Sequence, residues 1–376
     1  MGFTITGDFG EKKVTSLKQN INLSNNAWNI IKEDMFNFCS KEDENNLSGF
    51  LNRIFASFHN KAKASVSLRK KEQTDKYKKY KQEEGYSEAL FNKIIDNYAE
   101  DLLTESLNYP KGEAKKFTLN KNNLETLRRS HEVDYYRDGK GNENLGKYLK
   151  AIFEEYALKR PFERELIYFS SYVDMIELAI KSKAYLEIVQ QERTSKHGNK
   201  IQNTYFFSPY KIVVDDTLPF NYLIGYSELA NQSDGSIIES KIAPVRISRI
   251  VKMSIVSKNE SASLSSLQKK AIDDELEKKS PAYLVGDILD IEVKFTQKGL
   301  EQFKKQILMR PNIYYKLKEE KNYTHIVFKC TEAQAINYFF KFGSLIEIIS
   351  PNDVRTKFIN RYKEGLEIYQ VSNEYK

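Results

Sequence analysis

The sequence has few of the residues that mark secreted, membrane-spanning or disulfide-bonded proteins. Its 376 residues include only two cysteines, Cys39 and Cys330, which fit neither a disulfide framework nor a thiolate zinc site. It has no apolar run of the roughly 18 residues that a membrane-spanning helix needs. Residues 1–10 lack the basic start and apolar stretch of a signal peptide. We therefore expect a reducing, cytoplasmic compartment and no membrane contact.

Catalytic motifs are equally scarce. The four histidines are scattered, and none has a partner at a metal-ligand spacing. The segment from Gly139 to Gly141 lacks the third glycine of a dinucleotide fingerprint, and the chain has neither a P-loop nor a nucleophile elbow. Acidic pairs such as Asp215-Asp216 are explained better by turns than by Mg²⁺ binding. These absences predict a protein that is not an enzyme and that holds no metal or cofactor.

Basic charge is concentrated in one segment. The chain has 59 lysines and arginines against 52 aspartates and glutamates, a net charge of +7, and the segment from Lys61 to Lys81 alone carries nine basic residues against two acidic ones. Tyr77 and Tyr80 lie among these lysines, which suits phosphate attraction combined with base stacking on a single strand. The alternative is a solvated helix or a flexible linker. The candidate contact residues in this segment are Lys70, Lys71, Lys78 and Lys79.

A strand–helix–helix pattern occurs twice in the first half of the chain. Residues Leu17 to Leu23 alternate between apolar and polar, which predicts a strand, and apolar residues at helical spacing follow up to Phe58. The pattern returns about 96 to 98 residues later, where Ile21 is matched by Phe117 and the helix from Leu47 by one from Leu145. A lone strand leaves backbone groups unpaired, so the two copies are expected to form an antiparallel ribbon within one chain.

These two segments, residues 17–58 and 115–158, resemble the ribbon-helix-helix family. The resemblance implies a four-helix core and a ribbon whose outward face reads nucleic acid in the major groove. Amide, hydroxyl and ammonium groups there suit base edges or phosphates. The alternative is that they form the solvated face of an edge ribbon. The outward residues, by position, are Lys18, Asn20, Asn22, Lys116, Thr118 and Asn120.

The middle of the chain reads as several short strands. Beta-rich segments from Ala184 to Ser257 are separated by turn residues, which predicts a small barrel. They include separate strands over 203–207 and 209–214. Three pieces resemble the WYL family, whose domain is a small Sm-like or SH3-like barrel. The matching pieces are Ser208-Pro209-Tyr210-Lys211-Ile212, Phe220-Asn221-Tyr222-Leu223-Ile224-Gly225-Tyr226 and Val245-Arg246-Ile247-Ser248-Arg249-Ile250.

The WYL resemblance implies a polar pocket for a ligand that is often nucleic acid or nucleotide-like. Carried over by position, its lining is Tyr222, Arg246 and Arg249, with Ser208 and Tyr210 beside them. Asn221 stands where that family usually has the naming tryptophan, so one aromatic wall is missing. Strand alternation places the two arginines on opposite faces unless a bulge intervenes after Pro244, so only one is expected to point inward. The alternative is that the arginines pair with surface carboxylates and the tyrosines pack the core.

The C-terminal third has the order strand, helix, strand, strand, helix, strand, which is ferredoxin-like. Its segment Phe342-Gly343-Ser344-Leu345-Ile346-Glu347-Ile348 also resembles a helix-to-strand turn of the C-terminal extension of WYL proteins. That resemblance implies homodimerisation or regulation of the barrel. We therefore predict an α+β protein with four segments: duplicated ribbon-helix-helix repeats with the basic insert and one connecting helix from Pro161 to Lys181 (1–182), a small Sm/SH3-like WYL β-barrel (183–257), a linker (258–280) and a ferredoxin-like domain (281–376).

The domain order resembles the WYL-domain accessory proteins found beside RNA-targeting type VI-D CRISPR effectors. The resemblance implies that the chain binds single-stranded RNA. It also implies a CRISPR effector nuclease as partner, and that the chain raises the activity of this nuclease. The alternative is a DNA-binding transcriptional regulator whose barrel senses a ligand. A latent metal-dependent nuclease is the third possibility. Domain order alone does not choose between the first two.

Overall fold

The computed structural model describes residues 16–40, 43–84, 87–130, 132–136, 144–190, 203–215, 220–230, 237–256, 262–319 and 322–371. The chain forms two compact units, Met1–Val173 and Asp174–Lys376. The boundary lies inside a helix, nine residues before the predicted one at 182. Among the described helices, none is both long and apolar enough to cross a bilayer.

The first unit consists of two strands, their flanking helices and a helical insert. Its elements, in chain order, are β1 (Leu17–Leu23), α1 (Asn25–Phe38), α2 (Leu47–Phe58), α3 (Val66–Glu84), α4 (Glu88–Leu107), β2 (Glu113–Leu119), α5 (Lys121–Ser130), α6 (Leu145–Leu158) and α7 (Pro161–Tyr168). Helix α8 (Ser170–Ser182) continues into the second unit. The strand–helix–helix order of β1-α1-α2 recurs in β2-α5-α6, at the positions that the sequence predicted.

Strands β1 and β2 pair antiparallel, from Leu17 opposite Leu119 to Leu23 opposite Glu113. Their inward apolar residues are buried against the helices, because alternation places every second side chain on the core face. Phe117, for example, packs edge-on against Phe153 of α6, with ring centroids 5.7 Å apart. The periodicity that the sequence showed in both strands therefore corresponds to one buried face.

A buried ion pair ties α7 to α1. The Arg164 guanidinium donates from Nε to Asp34 Oδ2 at 2.6 Å and from Nη2 to Oδ1 at 3.1 Å, and the Tyr156 hydroxyl donates to Oδ2 at 2.8 Å. Burial raises the pKa of the Asp34 carboxyl, although the arginine opposes that change. The predicted single helix over 161–181 is broken at Phe169 into α7 and α8, so Arg164 lies in a short helix of its own.

The second unit begins with a five-stranded antiparallel sheet. Its strands are β3 (Tyr185–Gln190), β4 (Asn203–Val214), β5 (Asn221–Ala230), β6 (Ile237–Arg246) and β7 (Ile250–Val256), in the order β6-β5-β4-β3-β7. The two strands predicted over 203–214 are one. A register shift between Pro209 and Lys211 accommodates the proline, which has no N–H for the ladder. Closure of the sheet into a barrel stays a prediction.

The segment 258–280, which was predicted to be a linker, contains helix α9 (Ser266–Lys278), and the prediction is corrected accordingly. Ser265 and Gln268 form a capping box at its start. Ile272 of α9 is fully buried in a cluster with Tyr222 and Ile224 of β5, so the helix covers one face of the sheet. The apolar residues of this segment are too few for its amphipathic character to stand out from its charge.

The C-terminal part of this unit is a four-stranded antiparallel sheet with helices. Its elements are β8 (Ile288–Thr296), α10 (Gln297–Lys305), β9 (Asn312–Glu319), β10 (Tyr323–Thr331), α11 (Glu332–Phe339), β11 (Ile346–Ser350) and α12 (Asn352–Val371). The sheet order is β11-β8-β10-β9. This succession is the predicted strand, helix, strand, strand, helix, strand. Phenylalanines from β8, α10, β10 and α11 form the centre of its core.

Candidate nucleic-acid interface

The β1–β2 ribbon presents one face to its helices and the other to solvent. In the register, Lys18 lies opposite Thr118, Asn20 opposite Lys116 and Asn22 opposite Ala114. Thr118 is half-buried and the others are exposed. The structure thus brings five of the six predicted ribbon residues onto one surface, which combines two ammonium groups, two amides and a hydroxyl. Such a surface donates and accepts hydrogen bonds and attracts anions.

Asn120 is the exception among the predicted ribbon residues. It lies one residue beyond β2, where its side-chain oxygen accepts from the Asn123 N–H at 2.9 Å and caps α5. Its own N–H donates to Asn52 Oδ1 at 2.9 Å. The residue therefore begins a helix and does not lie on the outward face. An asparagine before a helical pattern is a known N-cap signal, which could have assigned this role from sequence.

Helices hold both strands of the ribbon in place. On β2, the Thr118 N–H donates to Ser48 Oγ at 3.0 Å, and Asn52 Nδ2 donates to the Thr118 carbonyl at 2.7 Å. After β1, the Ser24 N–H and hydroxyl donate to the two carboxylate oxygens of Glu154 at 2.5 and 2.7 Å. The backbone under the outward side chains is thereby fixed, which reduces the ordering cost of binding.

The start of β2 requires a glycine. The Gly112 N–H donates to Asn22 Oδ1 at 2.7 Å, so one acceptor of this outward amide is already used. A Cβ at position 112 would lie 1.9 Å from the Leu23 carbonyl oxygen. The two chains approach too closely there for any side chain.

A third lysine of the ribbon, Lys115 of β2, is held on the other face. Lys115 lies opposite Ile21, with its Nζ 4.4 Å from the centre of the Trp28 ring and 2.5 Å from Glu113. The hydrogen bond from Lys115 lowers the pKa of the Glu113 carboxyl. Lys115 thus stabilises the ribbon end, and the outward charge comes from Lys18 and Lys116.

The basic insert is a helical hairpin that partly neutralises itself. Helix α3 has seven basic and four acidic residues, but α4 has five acidic residues and one lysine. Lys63 reaches Glu105 at 3.0 Å and Lys70 reaches Asp96 at 2.5 Å. The Asp96 carboxylate raises the pKa of Lys70. The charge of Lys70 is thus paired with a residue that sequence spacing did not connect to it, and its role as a phosphate contact stays a prediction.

The other predicted lysines of the insert differ in their surroundings. Lys71 is exposed, and Lys78 is exposed and lies 3.2 Å from Asp75 one turn away. The side chain of Lys79 is outside the described residues. The charge that this hairpin offers to a polyanion is thus smaller than the +7 of the segment from Lys61 to Lys81 suggested.

In the five-stranded sheet, Tyr222 of β5 lies opposite Arg246 of β6, so the two side chains share one face. The ring of Tyr222 is only 8% exposed, because α9 covers it. The Arg246 guanidinium lies 3.1 Å from the centre of the Phe220 ring, and its Nε donates to Ser248 Oγ at 2.7 Å. Helix α9 therefore lies on the side of the Tyr222 ring that a pocket ligand would need.

The remaining predicted pocket residues have separate surroundings. Arg249 ends a 3₁₀ turn and is exposed, whereas Arg246 is half-buried, so the turn and not strand alternation separates the two arginines. Ser208 is buried and donates to Glu228 Oε1 at 3.2 Å. The Tyr210 hydroxyl donates to Asp273 of α9 at 3.1 Å. The structure therefore places these five residues in one sheet region but joins two of them to α9 rather than to an open pocket.

A second basic segment was not predicted from the sequence. From Gln302 to Lys318 the chain has five basic residues and no acidic one, and two exposed tyrosines lie within it. The first segment drew attention because its lysines are closer together. A count of acid-free stretches would have found the second.

Comparison with known proteins gives the fold a counterpart. A scan of family models and a search of curated proteins find no match. A solved structure described as "Crystal structure of a CRISPR Cas-related protein" is similar over 99% of this chain and 98% of that chain, with a TM-score of 0.70 and 23% identity. The likeness shows a shared fold. A structure of "Proteasome accessory factor B/C (PafBC) of Arthrobacter aurescens" covers 74% of this chain and 44% of that chain, with 10% identity and a TM-score of 0.26, from which nothing follows.

Proposed function

We propose that the chain is a non-enzymatic accessory protein of a CRISPR system, which binds single-stranded RNA and enhances an RNA-guided, RNA-targeting nuclease. The observation that carries the binding part is the exposed ribbon face with Lys18 and Lys116. The CRISPR context is supported by the likeness of fold over nearly the whole chain to a protein described as CRISPR Cas-related.

The groups on the ribbon face suit a polyanion. Its two ammonium groups provide the electrostatic attraction that dominates nucleic-acid affinity. The Asn20 and Asn22 amides and the Thr118 hydroxyl supply directional hydrogen bonds. A single strand has free base edges and 2′-hydroxyls, so these groups can reach both base and sugar.

The architecture that we infer agrees with this role. The paired repeats support a ribbon-helix-helix unit, the five-stranded sheet supports a WYL barrel, and the β11-β8-β10-β9 order supports a ferredoxin-like domain. We further infer a homodimer in the cytoplasm. Equilibrium sedimentation tests the dimer directly, since a monomer at micromolar concentration would contradict it.

Parallel titrations of unstructured RNA, single-stranded DNA and duplex DNA at two salt concentrations test the binding part. We expect the tightest binding to RNA, with affinity that falls steeply as salt rises. Addition of the protein to a guide-loaded RNA-targeting nuclease should raise the cleavage rate. Absence of binding to RNA would contradict the RNA-binding role. An unchanged cleavage rate would contradict enhancement of the nuclease. Cleavage by the protein alone that EDTA abolishes would indicate a nuclease instead.

The ribbon also favours a second candidate, a DNA-binding regulator. A two-stranded antiparallel ribbon fits the major groove, where asparagine amides can pair with adenine. This candidate predicts that duplex DNA binds more tightly than RNA in the same titrations. It also predicts that Asn22→Ala weakens binding to the operator more than binding to a random duplex, so that discrimination between the two falls.

A further inference from the structure

Strand β9 exposes two neighbouring aromatic rings at the edge of its sheet. Tyr314 is 54% exposed and Tyr315 45%, and β9 is the last strand in the order β11-β8-β10-β9. Their ring centres are 4.9 Å apart. Large exposed aromatics at a strand edge indicate a binding surface when they are grouped.

A bulge explains why both rings are exposed together. Successive residues of a regular strand point to opposite faces. Here Tyr315 lies opposite Val327 and Ile313 opposite Phe328, so the register passes over Tyr314. Bulges of this kind re-aim a side chain, and this one sets the Tyr314 ring beside that of Tyr315.

The charge around these rings favours a polyanion. Lys329 Nζ of β10 lies 3.8 Å from the centre of the Tyr314 ring. Lys316 follows on β9, and its Nζ lies 2.8 Å from Glu319 in a solvent-exposed pair, which is weak enough for a phosphate to replace the carboxylate. No acidic residue occurs from Gln302 to Lys318. Arg310 is not one of the cations beside the rings that could contact phosphate, because its guanidinium donates to backbone carbonyls at the end of α10. Aromatic faces with flanking cations match a strand of unpaired nucleotides, whereas an apolar protein surface would leave the ammonium groups desolvated.

We propose that this β9 edge is a second binding site for single-stranded nucleic acid. Bases stack on Tyr314 and Tyr315, and Lys316 and Lys329 contact the phosphates between them. The site rests on the proposed function in that both surfaces bind the same kind of strand. It uses residues that neither the ribbon nor the five-stranded sheet contributes.

The test compares Tyr314→Ala/Tyr315→Ala with Tyr314→Phe/Tyr315→Phe in the full chain. The probe is a fluorescein-labelled, unstructured 30-nucleotide RNA, measured by anisotropy. Loss of both rings should weaken binding about tenfold or more, while the phenylalanine pair, which keeps both faces, should stay within about twofold. Tyr369→Ala is the matched control, because it removes an exposed tyrosine from α12. Thermal unfolding checks that each variant is folded.

Tyr314→Trp gives a direct readout of stacking. Its fluorescence should be quenched by RNA beyond the change seen in the parent chain, which contains one tryptophan. Unchanged affinity of the alanine pair, or an altered oligomeric state with normal RNA binding, would overturn the proposal. Failure of this proposal can be told apart from failure of the proposed ribbon interface, because the tyrosines and Lys18/Lys116 are replaced in separate variants.

Discussion

Removal of the two outward lysines of the ribbon should change the salt dependence of binding by a definite amount. Lys18 lies opposite Thr118, and Lys116 lies opposite Asn20, so the two lysines are diagonal neighbours on the outward face of the ribbon. Each phosphate contact contributes about 0.7 to the slope of log affinity against log salt for a single strand, and about 0.9 for a duplex. Lys18→Ala/Lys116→Ala should therefore lower the slope by about 1.4 on RNA and about 1.8 on duplex DNA.

This slope converts into an affinity change that is easily measured. Between 50 and 200 mM salt the concentration rises fourfold, so a slope difference of about 1.4 corresponds to a factor of about 7. Affinity of the parent chain should fall about 7 times more than that of the double variant over this interval. Anisotropy titrations of an unstructured RNA at four salt concentrations give both slopes.

The control keeps the charge change but moves it elsewhere. Lys252→Ala/Lys363→Ala removes two exposed lysines from β7 and α12. It should leave the slope within about 0.3 of the parent value, since neither lysine belongs to the ribbon and the slope counts only the phosphates that are contacted. Equal slopes for the parent chain and the Lys18/Lys116 variant would refute the assignment of the ribbon as a phosphate-contacting surface. Equal effects of both variants would show that net charge alone is responsible.

Three further predictions concern stability. Asp34→Asn should lower the free energy of unfolding by about 3 to 5 kcal/mol in urea, because it leaves the Arg164 charge buried and unpaired; a loss below 1 kcal/mol would contradict this. The Glu132 carboxyl accepts hydrogen bonds from backbone N–H groups at the start of α3. Burial raises the pKa of this carboxyl, so the folded state holds its proton more tightly than the unfolded chain does. Stability should therefore fall as pH rises from about 4.5 through the folded-state pKa, and Glu132→Gln should flatten that part of the pH profile. Gly225→Ala should lower the melting temperature, since its Cβ would lie 2.1 Å from the Ser208 carbonyl oxygen; an unchanged temperature would mean that β4 and β5 can separate at little cost.

Elements with one buried face were predictable from the sequence. The alternation in β1 and the helical spacing in α2 each depend on a single core, so local pattern and tertiary structure agree. The break at Phe169 and the continuity of β4 through Pro209 were missed. Both are decided by neighbours in the fold, and local composition pointed the other way.

The candidate site was predictable to the same extent. Period-two alternation decides which ribbon residues face outward, and it assigned Lys18 and Asn20 correctly to the exposed face. The pairing of Lys70 with Asp96 and the covering of Tyr222 by α9 join residues far apart in the chain. No spacing rule in a single sequence contains those contacts.

The two repeats of the ribbon are equivalent in fold but differ in side chains. Asn20 and Lys116 are matching positions of the repeats, and they lie opposite each other, so the local twofold axis passes between them. Away from this axis, the ammonium of Lys18 corresponds to the methyl group of Ala114. A polymer laid along the ribbon therefore meets different chemistry when its direction is reversed. Two identical strands would make both polarities of a bound strand equal in energy, whereas the unequal side chains of this single chain would make them different.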